Sequence, residues 1–332
     1  MTEALKQPIV STLESEIESY LTGLMSGFAS SANRVVATDR AHPVADWVFA
    51  TLTERQFCHL SRSAAAPYRP TTIRMLERCV SADEPVAFFY DVGPGYHASL
   101  RPGELDLSFE VGLSELLMLF QIATFCERVS EIYAPGARFS LIVDNLCALR
   151  TNDIPIERTA AYCRRFRELI RELELEDRVS IIVESEQFDL DEYDRILAGL
   201  TSKRLDAPLT DSDLENVERF LGRVCAEGEA IERVERYLRT GITTEILLER
   251  LVDGVRMTQR ASKTTLGFRP FPGGDSRTQC GEVAMTQNEK GKLRPVLLTS
   301  RNFDSYHRVT VGLSAPLPSS ISHVTYAEKL GV

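Results

Sequence analysis

Between Pro85 and Asn145 the apolar period changes from strand-like to helix-like and back, and this constrains the fold more than any other stretch. Val86-Ala-Phe-Phe-Tyr90 is a short apolar run, followed by the loop from Asp91 to Gly103, which is dense in glycine and proline. Leu113 to Ile132 carries apolar residues at helical spacing. Tyr133-Ala-Pro-Gly136 stops that helix, and Arg138-Phe-Ser-Leu-Ile-Val143 is a second apolar run, ending in Asp144-Asn145. Strand, loop, helix, turn and strand make a βαβ-like unit. Ligands of open α/β sheets sit beyond the carboxyl ends of the strands. The loop at 91–103 and the Asp144-Asn145 pair are therefore expected to face one small-molecule site.

The flanking sequence fits around this unit. Residues 8–29 have an amphipathic helical pattern capped by Ser11 or Thr12, and 41–62 have another, with Trp47, Val48 and Leu52 on one side. Arg62 to Pro70 reads as a linker or surface loop, and Thr71 to Cys79 as helix. Glu157 to Leu173 is a strongly amphipathic helix, and Val179-Ser-Ile-Ile-Val183 is a third strand. Three β segments separated by helices predict a mostly parallel sheet. Residues 189–263 read as almost wholly helical, with Thr243-Thr244 capping a helix that runs through Leu247, Leu251 and Val255. Phe268 to Arg277 is a second glycine-rich loop. Gly281 to Met285 and Lys292 to Leu298 flank Gln287-Asn-Glu-Lys-Gly291 as a hairpin, and His307 to Leu313 is a further strand.

The fold class expected is α/β: a Rossmann-like, mostly parallel sheet with helical layers and a C-terminal antiparallel β portion. The expected division is 1–70 as an N-terminal helical layer, 71–205 as the α/β core, 206–265 as a helical lid or insertion, and 266–332 as a β-rich portion completing the site.

Charge excludes some functions. A net charge of −10 argues against a nucleic-acid surface, which needs clustered Lys and Arg. No apolar run approaches the ~20 residues that span a bilayer, and the first residues lack a basic-then-apolar leader, so a cytoplasmic location without membrane contact is expected. The seven cysteines form no C-x-x-C pair and read as plain thiols rather than a disulfide or zinc framework.

Several residues can carry chemistry. Gly93-Pro-Gly-Tyr-His-Ala98 matches the G-x-G-x-x-G/A dinucleotide string, but Pro102-Gly103 breaks the helix that must follow it. The loop can still bring backbone N–H groups to an anion. His97 is a candidate acid or base, or else a surface histidine beside a turn. Asp144, closing an apolar strand, either caps the next turn or meets ligand. Asp106 and Glu110 precede the central helix, where they favour its dipole. Arg260, Lys263, Arg269, Arg277, Arg294, Arg301 and Arg308 concentrate basic charge in the last quarter of an acidic chain, which suits a phosphate or carboxylate on a small substrate. His307 is a second titratable candidate. No G-x-S-x-G elbow, P-loop or H-E-x-x-H is present.

The order of these motifs resembles the isonitrile (isocyanide) synthases, the pyoverdine/paerucumarin and dityrosine types among them. Glu84-Pro-Val-Ala-Phe-Phe89 resembles the strand before that family's F-P-x-K-S loop, and Leu105-Asp-Leu-Ser-Phe-Glu110 is similar to its P-D-L-G-E stretch. Ile132-Tyr-Ala-Pro-Gly-Ala137, with Leu141-Ile-Val-Asp-Asn145 after it, resembles the Y-x-P-G-A … S-D-G block, the most specific piece. The resemblance covers roughly 70–200 and fades beyond. Where the family has its lysine this chain has Tyr96 or His97, depending on a one-residue gap, and the family's D-G is Asp144-Asn145.

The resemblance implies an enzyme that joins the α-amine of tyrosine or tryptophan to the C2 ketone of ribulose 5-phosphate and leaves one carbon on nitrogen as an isonitrile. It implies no cofactor and no metal, with an amino acid and a pentulose phosphate as partners. A downstream Fe(II)/2-oxoglutarate oxygenase is implied in the same pathway. His97, Asp144 and His307 take the catalytic positions. Tyr96, Ser99, Arg101, Glu110, Arg260, Lys263, Arg277, Arg294, Arg301 and Arg308 take substrate. The alternatives are a divergent non-catalytic binding protein on the same fold, which the lost lysine favours, and a nucleotide-cofactor enzyme, which Pro102-Gly103 disfavours.

Overall fold

A computed structural model describes residues 43–58, 60–92, 111–200, 224–258 and 265–270, and the backbones of strands at 283–287, 293–297, 308–313 and 321–327. It also describes isolated positions at 19, 20, 22, 23, 209–211, 214, 217 and 218. The loop at 93–110, most of the first helical pattern, and the second glycine-rich loop from 271 on lie outside these residues.

The βαβ reading is met. Strand β1 (Val86–Asp91), a helix at Leu113–Ser130 and strand β2 (Ala137–Val143) follow in order, then helices at Asn145–Asn152 and Ile156–Glu172, and strand β3 (Val179–Val183). Strands β4 (Val255–Thr258) and β5 (Leu266–Gly267) complete a five-stranded sheet in the order β3-β2-β1-β4-β5. Every pairing in it is parallel. The strand order reverses between β1 and β4, which is where an α/β sheet opens a crevice. Towards the C-terminus, β6 (Val283–Gln287) and β7 (Leu293–Leu297) form the expected antiparallel hairpin, and β8 (Arg308–Leu313) pairs antiparallel with β9 (Ile321–Ala327).

Alternation along the strands sorts the two faces of the sheet. Val86, Phe88 and Tyr90 point to the large core with Phe139, Leu141, Val143, Val255 and Met257. Helices α1 (Val44–Leu52), α3 (Arg69–Ser81), α4 (Leu113–Ser130) and α6 (Ile156–Glu172) cover that face, α2 being the short turn at Arg62–Ala65 and α5 the helix at Asn145–Asn152. Phe88 meets Phe125 edge-on at 5.1 Å and stacks on Phe139 at 5.1 Å, which is the geometry aromatic pairs favour. The intervening residues Phe89 and Ile142 face the other way, onto Leu248, Leu251 and Val252 at the end of a long helix, Glu227–Leu248.

The Tyr-x-Pro-Gly-Ala block does its work at the opposite end from the crevice. Gly136 turns at φ +75°, in the left-handed region, and its carbonyl accepts the Val86 N–H at 2.9 Å. The Tyr133 hydroxyl donates to the Glu84 carbonyl at 3.0 Å. These contacts set Val86 opposite Ala137 and so put Asp91 opposite Ile142.

Two readings need correction. Arg62 to Pro70 is no loop: it forms helix α2, a 3-10 turn at Ala66–Tyr68, and the start of α3. Its prolines sit in first turns, where the missing N–H costs nothing. The stretch 189–263 is not wholly helical, because Val255–Thr258 is strand β4. Thr243 and Thr244 cap nothing. They lie inside the helix, where the Thr243 hydroxyl donates to the Arg239 carbonyl at 2.9 Å. Among the described residues no helix is long and apolar enough to cross a membrane.

Candidate active site at the carboxyl ends of the central strands

Four strands deliver one charged side chain each to the same end of the same face. Asp91 closes β1 and sits opposite Ile142, so Asp144, two residues on, continues the face that Asp91 occupies. Val143 pairs with Val183, which makes Asp144 and Glu184 neighbours just past the ends of β2 and β3. On the other side Arg256 of β4 is opposite Phe89. The result is a diagonal row of Arg256, Asp91, Asp144 and Glu184.

The four groups are not equally committed. Glu184 is fully buried and fully used. One of its oxygens accepts the backbone N–H groups of Leu146 and Cys147, at 3.0 and 3.1 Å, and the other accepts the Thr244 hydroxyl at 2.7 Å. It thereby caps α5, whose first N–H groups have no partner within the helix. Burial raises its pKa, and those three hydrogen bonds oppose the rise. Beside it Asn145, also fully buried, donates to Thr159 and Ser185 and accepts the Ser185 N–H at 3.0 Å. The Asp-Asn pair thus divides its labour: Asn145 ties the ends of β2 and β3 together, and Asp144 is left for the crevice.

Asp144 occupies the N-cap position of α5 but makes no side-chain cap. The residue as a whole is half-buried, yet its Oδ1 is fully shielded and has no hydrogen-bond partner among the described residues. Burial pushes its pKa up to about 7, the charges of Glu184 and Asp91 add to the rise, and a hydrogen bond from its own backbone N–H and the charge of Arg256 oppose it. Such a carboxyl changes protonation near neutrality, as an acid–base group must.

Asp91 accepts from Arg256 Nη2 at 2.9 Å through Oδ2, while its Oδ1 is buried without a partner among the described residues. Burial raises its pKa, with Arg256 pulling the other way. Arg256 spends its second terminal nitrogen on Glu245 of the long helix, called α9 from here, α7 and α8 being Glu184–Gln187 and Leu190–Gly199. Its Nε is also buried and unpartnered among the described residues.

Of the residues expected at the site, Asp144 and Arg269 have described side chains, and Asp144 stands at the predicted strand end. His97, Tyr96, Ser99, Arg101 and Glu110 lie outside the described residues, as do Arg260, Lys263, Arg277, Arg301 and His307. Arg294 and Arg308 are placed by backbone only, opposite Thr286 and Ala327. Arg269 lies just past the end of β5. It donates to the Cys58 carbonyl at 3.2 Å, beside the bridge between Cys58 and Phe268. Asp91, Glu184, Glu245 and Arg256 were not anticipated. The signal for Arg256 was present in Asp-Gly-Val-Arg-Met-Thr258, a breaker followed by strict alternation.

No family model and no curated protein matches the chain. Among solved structures it is similar to the PvcA protein from Pseudomonas aeruginosa, with 16% sequence identity, a TM-score of 0.57, and coverage of 85% of this chain and 99% of that one. The tyrosyl-tRNA synthetase from Aeropyrum pernix matches at a TM-score of 0.35, with 9% identity over 65% of this chain and 53% of that one, too remote to carry an argument. The PvcA likeness shows the fold alone, an α/β fold built on a parallel sheet.

Proposed function

We propose that this chain is an isonitrile-synthase-like enzyme that joins the amine of an amino acid, tyrosine or tryptophan first among them, to ribulose 5-phosphate or a related pentulose phosphate. The observation that carries the reading is Asp144: a carboxyl at the crevice of this fold that titrates near neutrality and whose shielded Oδ1 has no partner among the described residues. The first step of such a reaction needs a group of that kind. An amino acid arrives as an ammonium ion, which is no nucleophile. Transfer of one proton to the Asp144 carboxylate frees the nitrogen lone pair to form the C–N bond with the ketone carbon. The ketone oxygen takes that proton back, and the N-protonated carbinolamine then loses water to give the iminium ion. His97 and His307 serve the later proton transfers in this reading. The arginines of the last quarter neutralise the phosphate and the substrate carboxylate. The place of action is the cytoplasm, and an Fe(II)/2-oxoglutarate oxygenase acts downstream.

The test is mass spectrometry of reactions with isotopically labelled ribulose 5-phosphate and each common amino acid. A labelled carbon on the amine nitrogen is the expected result. Its absence across the whole set overturns the reading.

One departure favours a second reading. Tyr96 or His97 stands where the family has its lysine, which suits a binding protein that has kept the fold and lost the chemistry. In that case amino acids or sugar phosphates raise the melting temperature and no product forms.

A further inference from the structure

The row at the strand ends is unbalanced. Among the described residues, Asp91, Asp144, Glu184 and Glu245 bring four carboxylates to the row against a single guanidinium, that of Arg256. Glu184 is saturated by its three donors, and Glu245 is taken by Arg256. The two acceptors left over are Oδ1 of Asp91 and Oδ1 of Asp144, both shielded and both without a partner among the described residues. They sit on adjacent strands, on one face, one diagonal step apart. A shielded, uncompensated acceptor is costly, and two beside each other more so, unless a donor with positive charge completes them. No three carboxylate, histidine or cysteine side chains converge in metal-ligand geometry among the described residues. A primary ammonium is the donor that fits: it carries one positive charge and three N–H groups, enough for both oxygens and one further acceptor.

We infer that Oδ1 of Asp91 and Oδ1 of Asp144 together receive the primary ammonium of the substrate, with Arg256 and Glu245 holding Asp91 in place. This rests on the reading of the crevice as an amino-acid site, and it assigns the nitrogen end of that substrate to β1 and β2. Arg256 is thereby a positioning residue. Both its terminal nitrogens are spent within the protein, and its Nε is the nitrogen left without a partner among the described residues.

The experiment is calorimetry on the full chain at pH 8 with two probes of one shape, tyramine and 2-(4-hydroxyphenyl)ethanol, which carries a hydroxyl where tyramine carries the amine. Tyramine is expected to bind at least about tenfold more tightly, the usual scale for a charge-assisted hydrogen bond. Equal affinities, or no binding of tyramine, overturn the inference without any variant having to fold. Asp91→Asn is then expected to weaken tyramine by about tenfold and leave the alcohol unchanged. An equal effect on both probes marks Asp91 as merely structural and also overturns it. The outcomes separate from those of the labelling experiment. Label incorporation without amine preference keeps the enzyme and discards this site, and amine preference without label does the reverse.

Discussion

Arg256 on β4 donates to Asp91 at the end of β1 across 2.9 Å, bridging the two strands between which the sheet order reverses. The same guanidinium reaches Glu245 on α9, so one cation ties a helix and two strands together at the crevice. Its side chain is 19% exposed, and the pair is therefore more than a solvated surface contact.

Arg256→Met tests what that cation does for its neighbours. The charged groups facing Asp144 are Glu184, Asp91 and Arg256, with Glu245 behind Arg256, and Arg256 is the one that lowers the Asp144 pKa. Its removal leaves the carboxylates uncompensated, so the Asp144 titration moves to higher pH. The carboxyl carbon shift of Asp144, followed by NMR across pH 5 to 9, reads this directly. A midpoint that stays put or falls contradicts the electrostatic account of the row.

Asp144→Asn separates stability from activity. A carboxyl whose folded pKa is raised to about 7 from an unfolded value near 4 binds more protons when folded. Its contribution to stability is complete below pH ~4 and is lost as the pH rises through about 7. The variant lacks this loss. It is expected to be more stable than the wild-type chain at pH 8, by on the order of 1–3 kcal/mol, with the gap closing towards pH 4. Product formation falls by at least about a hundredfold, the lower end of acid–base contributions. Denaturant unfolding at the two pH values checks the first part, and a gap that grows on acidification refutes it.

How much of this was legible follows from particular residues. Strands β1, β2 and β3 are continuous apolar runs, β1 and β2 largely buried and β3 buried at its two ends, bounded by Gly-Pro loops or acidic ends, so they stand out of the sequence. The strand end at Asp144 was legible because the apolar run stops there, while capping of the next turn and contact with ligand both stayed open in the sequence. Strand β4 was hidden by its length: four residues after a 22-residue helix look like the helix continuing. Losing β4 meant losing Arg256, and with Arg256 the reason to notice Asp91. Glu184 was invisible for another cause, since the N–H groups it caps belong to a helix 38 residues upstream. The prolines of 62–70 misled because proline both breaks helices and starts them.

Glu184 is expected to behave as a structural carboxylate. Glu184→Ala leaves two helix N–H groups and the Thr244 hydroxyl without their acceptor in a fully buried position. A loss of about 2–4 kcal/mol follows from the desolvation of those donors. Glu184→Gln keeps one oxygen for the two N–H groups and turns its amide to the Thr244 oxygen, so less than about 1 kcal/mol is lost. Urea titrations of both variants decide it. Equal destabilisation by the two substitutions points to the charge of Glu184, rather than its acceptor geometry, as what matters.

Gly254 tests whether the seam between β1 and β4 governs the site. A Cβ on Gly254 falls 2.5 Å from the Ala87 carbonyl oxygen and 2.9 Å from both Ala87 Cβ and Phe89 Cε2. Backbone cannot yield there without moving the strand. Gly254→Ala therefore pushes β4 away from β1 one residue before Val255, which pairs with Phe88, and carries Arg256 away from Asp91. A loss of about 1–3 kcal/mol is expected, the usual cost of overpacking. The local consequence is sharper than the global one. With Arg256 displaced, the Asp144 titration shifts upward as it does in Arg256→Met, although the new methyl touches neither residue. Measured side by side, a destabilised Gly254→Ala chain with an unshifted Asp144 midpoint shows that the position of Arg256 does not depend on how closely β4 packs on β1.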